Sequence, residues 1–282
     1  LSPIKDAASE VIQDTISLQF VVNEKKIQKN KTPVTRLAQS QPLIASNITS
    51  RYTFDNFVVG SSNQFAHAAC FSVANNPALN YNPLFLFAGA GLGKTHLLKA
   101  IGYHAIQNNI CSKVLYISSE QFTNDLINSI RYEKMADFRE RFRTLSLLLI
   151  DDIQFIAGKE RTQEEFFHTF NTLYESHQQI VLTSDTPPKD MHSLEERLRS
   201  RFEWGLIADI QPPDTETKVA IIKQKLRGET VVLPNDVAFF LASNVKSNIR
   251  ELEGLLTRVV AYASLNKCDI TLDLAKDVLK DI

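Results

Sequence analysis

Leu84-Phe85-Leu86-Phe87-Ala88-Gly89-Ala90-Gly91-Leu92-Gly93-Lys94-Thr95 decides the fold. The apolar run Leu84 to Phe87 reads as a strand buried on both faces, the glycines as a tight turn, and Lys94 as the start of a helix over 94–107. Strand, glycine turn and helix in that order suit a phosphate. The glycines let backbone N–H groups turn inward on phosphate oxygens and the helix N-terminus adds positive potential. Lys94 reaches the terminal phosphates, and the Thr95 hydroxyl can hold Mg²⁺. Gly89, Gly91 and Gly93 shape this turn, but Ala88 stands where the G-x-x-x-x-G-K-[ST] pattern has its first glycine. A left-handed alanine costs on the order of 1–2 kcal/mol, so Ala88 is expected to belong to the strand exit.

Leu147-Leu148-Leu149-Ile150-Asp151-Asp152 is a second buried strand, and it delivers two carboxylates at its end. In a parallel sheet the ligand crevice lies beyond the carboxyl ends of the strands, so both carboxylates emerge beside the glycine turn. Asp151 is suited to the magnesium shell and Asp152 to orienting or deprotonating a water. Thr183-Ser184-Asp185 ends a further strand, next in line to meet a γ-phosphate or to cap a helix.

Short apolar runs alternating with helical periodicity continue outward from this centre. Strands are predicted at 84–87, 113–117, 146–150, 179–184 and 206–209, and helices at 94–107, 119–131, 135–143, 163–177 and 190–200. That alternation is the signature of an α/β fold with a parallel five-stranded sheet. Two successive helices between the second and third strands exceed what one crossover requires. After Pro212-Pro213 only helical periodicity remains, with Asp214, Pro234-Asn235, Ser247 or Asn248, and Thr271 as helix starts. Residues 51–210 thus read as the nucleotide-binding domain and 211–282 as a small helical lid. Residues 1–24 read as a helix and a strand left from a preceding domain. Residues 25–50 carry clustered lysines and no acidic residue, a flexible-linker composition.

The 282 residues hold 31 Lys and Arg against 32 Asp and Glu, a formal charge of −1 that excludes a uniformly basic nucleic-acid coat. Any nucleic-acid contact must be local. Three cysteines far apart match no metal-ligand spacing and read as free thiols in a reducing cytoplasm. No secretory signal and no apolar run of about 18 residues stands in the sequence, which points to a cytoplasmic protein. Asn266-Lys267-Cys268-Asp269 matches the guanine-reading N-K-x-D pattern, but it follows a helical run rather than a sheet strand. Adenine is therefore the expected base.

Taken together, several segments resemble the AAA+ ATPases, and more narrowly the bacterial chromosomal replication initiators, from about Arg51 onward. They are Tyr52 to Gly60, Gly91 to Leu98, Leu149 to Gln154, Lys159 to Phe167, Leu182 to Asp185, Arg197 to Gly205, and Ser247 to Gly254. The resemblance implies that Val58, Val59 and Gly60 lie against adenine and that Asp185 and Arg250 sense the nucleotide. It implies that Arg201 reaches the ATP of a neighbouring subunit, and that ATP with Mg²⁺ acts as an assembly switch with weak hydrolysis. By the same likeness the subunits form a helical oligomer on origin DNA and engage single-stranded DNA through Lys159, Arg161 and the insertion near Thr123. The replicative helicase, met through the mostly missing N-terminal domain, and acidic phospholipids are further implied partners. The resemblance also implies a duplex-reading helix-turn-helix domain, which is not in this sequence. An initiator-related regulator or helicase loader is the alternative within AAA+. A metabolic P-loop kinase leaves Arg197 to Arg201 and Arg250 without a role, and a DNA-binding module with a degenerate loop predicts no ATP affinity.

Overall fold

The computed structural model describes residues 48–227, 231–246 and 248–280. The readings of residues 1–24, of most of 25–50 and of Ser247 lie outside the described residues. Five strands, β1 (Leu84–Ala88), β2 (Val114–Ser118), β3 (Leu147–Asp151), β4 (Gln179–Ser184) and β5 (Leu206–Ile210), form one sheet in the order β2-β3-β4-β1-β5. Every pairing is parallel. β3 and β4 are buried along their whole length, as continuous apolar strands covered on both faces must be. The five predicted strands are all present, with ends that move by at most a residue. Ala88 is the last residue of β1, so the alanine at the start of the turn carries no left-handed strain.

Helices cover both faces of the sheet. On one face α1 (Gln64–Asn75) and α2 (Lys94–Gln107) pack Ala66, Ala69, Cys70, Leu97 and Ile101 against Leu84, Leu86, Leu149 and Val181. On the other face lie α3 (Ser119–Arg131), α4 (Met135–Arg143), α5 (Glu160–Glu175) and α6 (Glu196–Glu203). Their core is phenylalanine-rich. Phe122 meets Phe138, Phe142 and Phe166 at ring separations of 5.4, 4.9 and 5.4 Å.

Four helices follow β5: α7 (Thr215–Lys225), α8 (Asn235–Asn244), α9 (Ile249–Asn266) and α10 (Leu272–Val278). They build their own apolar cluster around Ile222, Leu241, Leu252 and Val259. Asp214, Asn248 and Thr271 each accept a backbone N–H of the helix they open. Sheet and lid belong to one compact unit. Among the described residues no helix is long and apolar enough to cross a membrane.

Three local expectations differ from the structure. α1 was not predicted. The helix expected at 163–177 is α5, which starts at Glu160 and ends at Glu175. The helix expected at 190–200 is displaced to 196–203, because Gln163 holds residues 193–195 out of helical form. Its amide donates to Ser193 O at 3.3 Å and accepts from the Glu195 N–H at 2.7 Å, a tertiary bond competing with local propensity.

Candidate functional site

The order β3-β4-β1 puts three strand ends side by side, and each carries a polar side chain or the turn that the sequence singled out. After β1 the chain passes through Gly91 at φ 75° and Gly93 at φ 98°, conformations that glycine reaches without the Cβ penalty. α2 begins there with no side-chain hydrogen bond capping its first turn, which leaves its N–H groups available to an anion. Lys94 is 6% exposed. Its Nζ donates to Ala88 O at 2.7 Å, to Gly89 O at 3.1 Å and to Asp185 Oδ1 at 2.6 Å. A buried ammonium is tolerated because three acceptors surround it.

Asp151 is the second centre. Thr95 Oγ1 and Tyr116 Oη both donate to its Oδ2, at 2.8 and 2.9 Å, while Thr183 Oγ1 donates to Oδ1 at 2.5 Å. Three hydroxyls hold one buried carboxylate in a fixed orientation. Among the described residues no group of three or more His, Cys, Asp or Glu side chains is arranged to hold a metal ion by itself. A cation here would therefore take only the Thr95 hydroxyl and the Asp151 carboxylate from the protein. Those hard oxygens, completed by phosphate oxygens and water, suit Mg²⁺.

Asp152 follows in a left-handed conformation, φ 54° and ψ 55°. Burial raises its pKa above the ordinary aspartate value, and the neighbouring charge of Asp151 raises it further. Gln154 links it to the next strand, its amide nitrogen lying 3.2 Å from Asp185 Oδ2 and 3.5 Å from Asp152 Oδ1.

The lid closes the opposite wall. The Ile249 N–H donates to Gly91 O at 3.2 Å, and a Cβ on Gly91 would stand 2.0 Å from Asn248 Oδ1. The start of α9 therefore lies directly on the glycine turn, with Arg250 beside it. Tyr52, Phe57, Val58, Lys94, Asp152 and Arg250 are among the residues around a cleft of about 1010 Å³.

Two other sets lie apart. Arg201 is not among the cleft residues; its guanidinium sits 3.6 Å from the centre of the Trp204 ring. Lys159 and Arg161 are exposed at the start of α5, and neither forms an ion pair with a described carboxylate. Thr123 does not join them: it is 5% exposed, and its hydroxyl donates to Ser119 O at 2.8 Å. Val58 and Gly60 are half-buried at the lid, and Val59 is exposed. Lys267 of the N-K-x-D match is the left-handed C-cap of α9, an ordinary helix end.

The sequence reading missed Tyr116, Gln154 and Asn63. Tyr116 is an out-of-pattern hydroxyl near the end of an apolar strand, and Asn63 follows Gly60 at a fixed spacing, but neither signal is specific alone.

A family model described as the bacterial DnaA ATPase domain matches residues 48–209. The chromosomal replication initiator protein DnaA of Geotalea uraniireducens is 58% identical over 295 residues, covering 100% of this chain and 65% of that protein. The chain thus spans less than two thirds of the length of that relative. Domain III of the replication initiation protein DnaA from Thermotoga maritima is 44% identical at a TM-score of 0.79, covering 83% of this chain and 98% of that one. A replication initiator DnaA bound to AMPPCP and single-stranded DNA is 36% identical at a TM-score of 0.71, covering 78% and 69%. The chain belongs to the bacterial DnaA ATPase domain family.

Proposed function

We propose that this chain is the ATP-switched core of a bacterial chromosomal replication initiator. One observation carries the reading: Lys94, Thr95, Asp151 and Asp185 meet at adjoining strand ends, under a lid whose Arg250 reaches the same cleft. Buried cation, open helix N-terminus and paired carboxylates make a site for a nucleoside triphosphate with its metal. The AMPPCP-bound relative supports ATP as the ligand. Thr95 and Asp151 would hold Mg²⁺, which would supply neutralisation of phosphate charge. Lys94 binds the terminal phosphates. Asp152 takes the proton of the attacking water, and Asp185 orients the γ-phosphate or that water.

ATP acts as an assembly signal. Arg201 of one subunit meets the γ-phosphate in the next, so an ATP-loaded interface holds and an ADP-loaded one loses its partner. Hydrolysis is slow and resets the switch. The oligomer forms on the origin in the cytoplasm, and Lys159 and Arg161 contact single-stranded DNA phosphates; the DNA-bound relative supports this partner.

Sedimentation in ATP-Mg²⁺ and in ADP-Mg²⁺ tests the reading. Oligomers in ATP alone that disappear in Arg201→Ala are expected; a monomer in both nucleotides overturns the switch for this chain.

A further inference from the structure

Asn63 is the N-cap residue of α1, yet its side chain makes no bond to that helix. Asparagine at this position ordinarily accepts the N–H of the second or third helical residue. Here both polar ends point backward. Oδ1 accepts the Gly60 N–H at 2.9 Å, and Nδ2 donates to Val58 O at 3.0 Å. The Asn63 N–H returns a bond to Gly60 O at 3.2 Å, closing residues 58–60 around a side chain that is 5% exposed.

This short segment is fixed from the other side as well. Val58 packs with the lid cluster, and a Cβ on Gly60 would stand 2.4 Å from Thr217 Oγ1 in α7. Val58 and Asn63 both border the cleft. Val58, Val59 and Gly60 carry no side-chain donor or acceptor, so only peptide groups in this segment can read the edge of a base. A carbonyl held in one orientation accepts the 6-amino group of adenine and opposes the 6-keto oxygen of guanine, where two acceptors would face each other.

We propose that Asn63 is a positioning residue that sets base selectivity, by fixing the Val58 carbonyl at the cleft. The inference rests on the reading of the cleft as a nucleotide site. It separates two parts of that site: the glycine turn and Lys94 hold phosphates whatever the base, and Asn63 decides which base is accepted.

Calorimetric titration of the folded chain with ADP, GDP, inosine diphosphate and inorganic tripolyphosphate tests it, for wild type, Asn63→Ala and the milder Asn63→Ser. Wild type is expected to prefer ADP over both 6-keto nucleotides by on the order of 100-fold. Asn63→Ala is expected to cut that ratio by about tenfold or more while tripolyphosphate affinity stays within about twofold, with Asn63→Ser between the two. Equal losses for ADP and GDP mean a merely structural role and overturn the inference, as does an unchanged ratio. A wild-type chain that binds tripolyphosphate without preferring ADP overturns the inference and leaves the phosphate site standing. One that binds neither ADP nor tripolyphosphate overturns both the inference and the nucleotide reading.

Discussion

Asp152 sits in a backbone region that residues other than glycine adopt uncommonly, immediately after the strand that delivers Asp151. Its neighbours over-determine the conformation: the Asp152 N–H donates to Thr183 Oγ1 at 2.9 Å, and Ser119 Oγ donates to Asp152 O at 2.5 Å. The carboxylate is thereby aimed by backbone rather than by its short side chain. Asp152→Asn is expected to retain nucleotide affinity and to lose about 10²-fold or more in ATP turnover, measured in single-turnover assays. A general base works deprotonated, and burial with the Asp151 charge raises the Asp152 pKa. Asp152→Glu adds a methylene and is expected to raise turnover; unchanged turnover would remove the short carboxylate as the cause of the slow hydrolysis proposed above. Tyr116→Phe deletes one donor to Asp151 and leaves the Thr95 and Thr183 bonds. It should weaken nucleotide affinity in Mg²⁺ by about threefold to tenfold and leave affinity in a chelator unchanged.

At the scale of elements, α4 is held by charge as well as by Phe138 and Phe142. Glu165 of α5 receives Arg139 at 3.1 and 3.0 Å and Arg143 at 2.7 Å. Burial pushes the Glu165 carboxyl up, but the hydrogen bonds and charges of the two arginines outweigh it and hold the pKa below the usual glutamate value. Because the native value is the lower one, the clamp stabilises the fold fully above the unfolded-state pKa of about 4.3. That contribution disappears as the pH falls through the native value. Glu165→Gln should cost about 1–3 kcal/mol at neutral pH, discounted for the half-exposed Arg139. In urea unfolding the difference from wild type should shrink progressively as the pH falls below about 4.3. The strands were legible because burial on both faces writes continuous apolar runs, and α2 because its glycine turn marks its start. α1 was not, since its buried face is Ala66, Ala69, Cys70, Val73 and Ala74, small side chains with little contrast against the exposed Phe65 and Phe71. The late start of α6 could not be read either, because the Gln163 bonds that delay it come from another element. At the site, the pattern residues Lys94, Thr95, Asp151 and Asp185 were readable from spacing. Tyr116, Gln154 and Asn63 act through contacts that only the folded chain creates.

For the whole molecule, lid and sheet communicate through a few close approaches. Besides Gly60 and Thr217, Ser61 Oγ donates to Asp214 Oδ2 at 3.4 Å and the Gln211 N–H to Ser62 O at 3.0 Å. Gly60→Ala should lower ATP affinity by forcing α7 outward, and Thr217→Ala in the same chain should restore part of it, a coupling that a double-mutant cycle measures. On the outer face, Lys159→Ala and Arg161→Ala should each weaken single-stranded DNA binding and reduce its log–log salt slope by about 0.7. Trp204, stacked on Arg201 and 5.3 Å from the Tyr174 ring, is the one tryptophan in 282 residues. A fluorophore is thus built against the cation proposed to enter the neighbouring subunit, and no other indole obscures its emission. Each subunit carries its own optical signal of engagement: emission should shift when ATP joins the subunits, stay constant in ADP, and lose its response in Arg201→Ala.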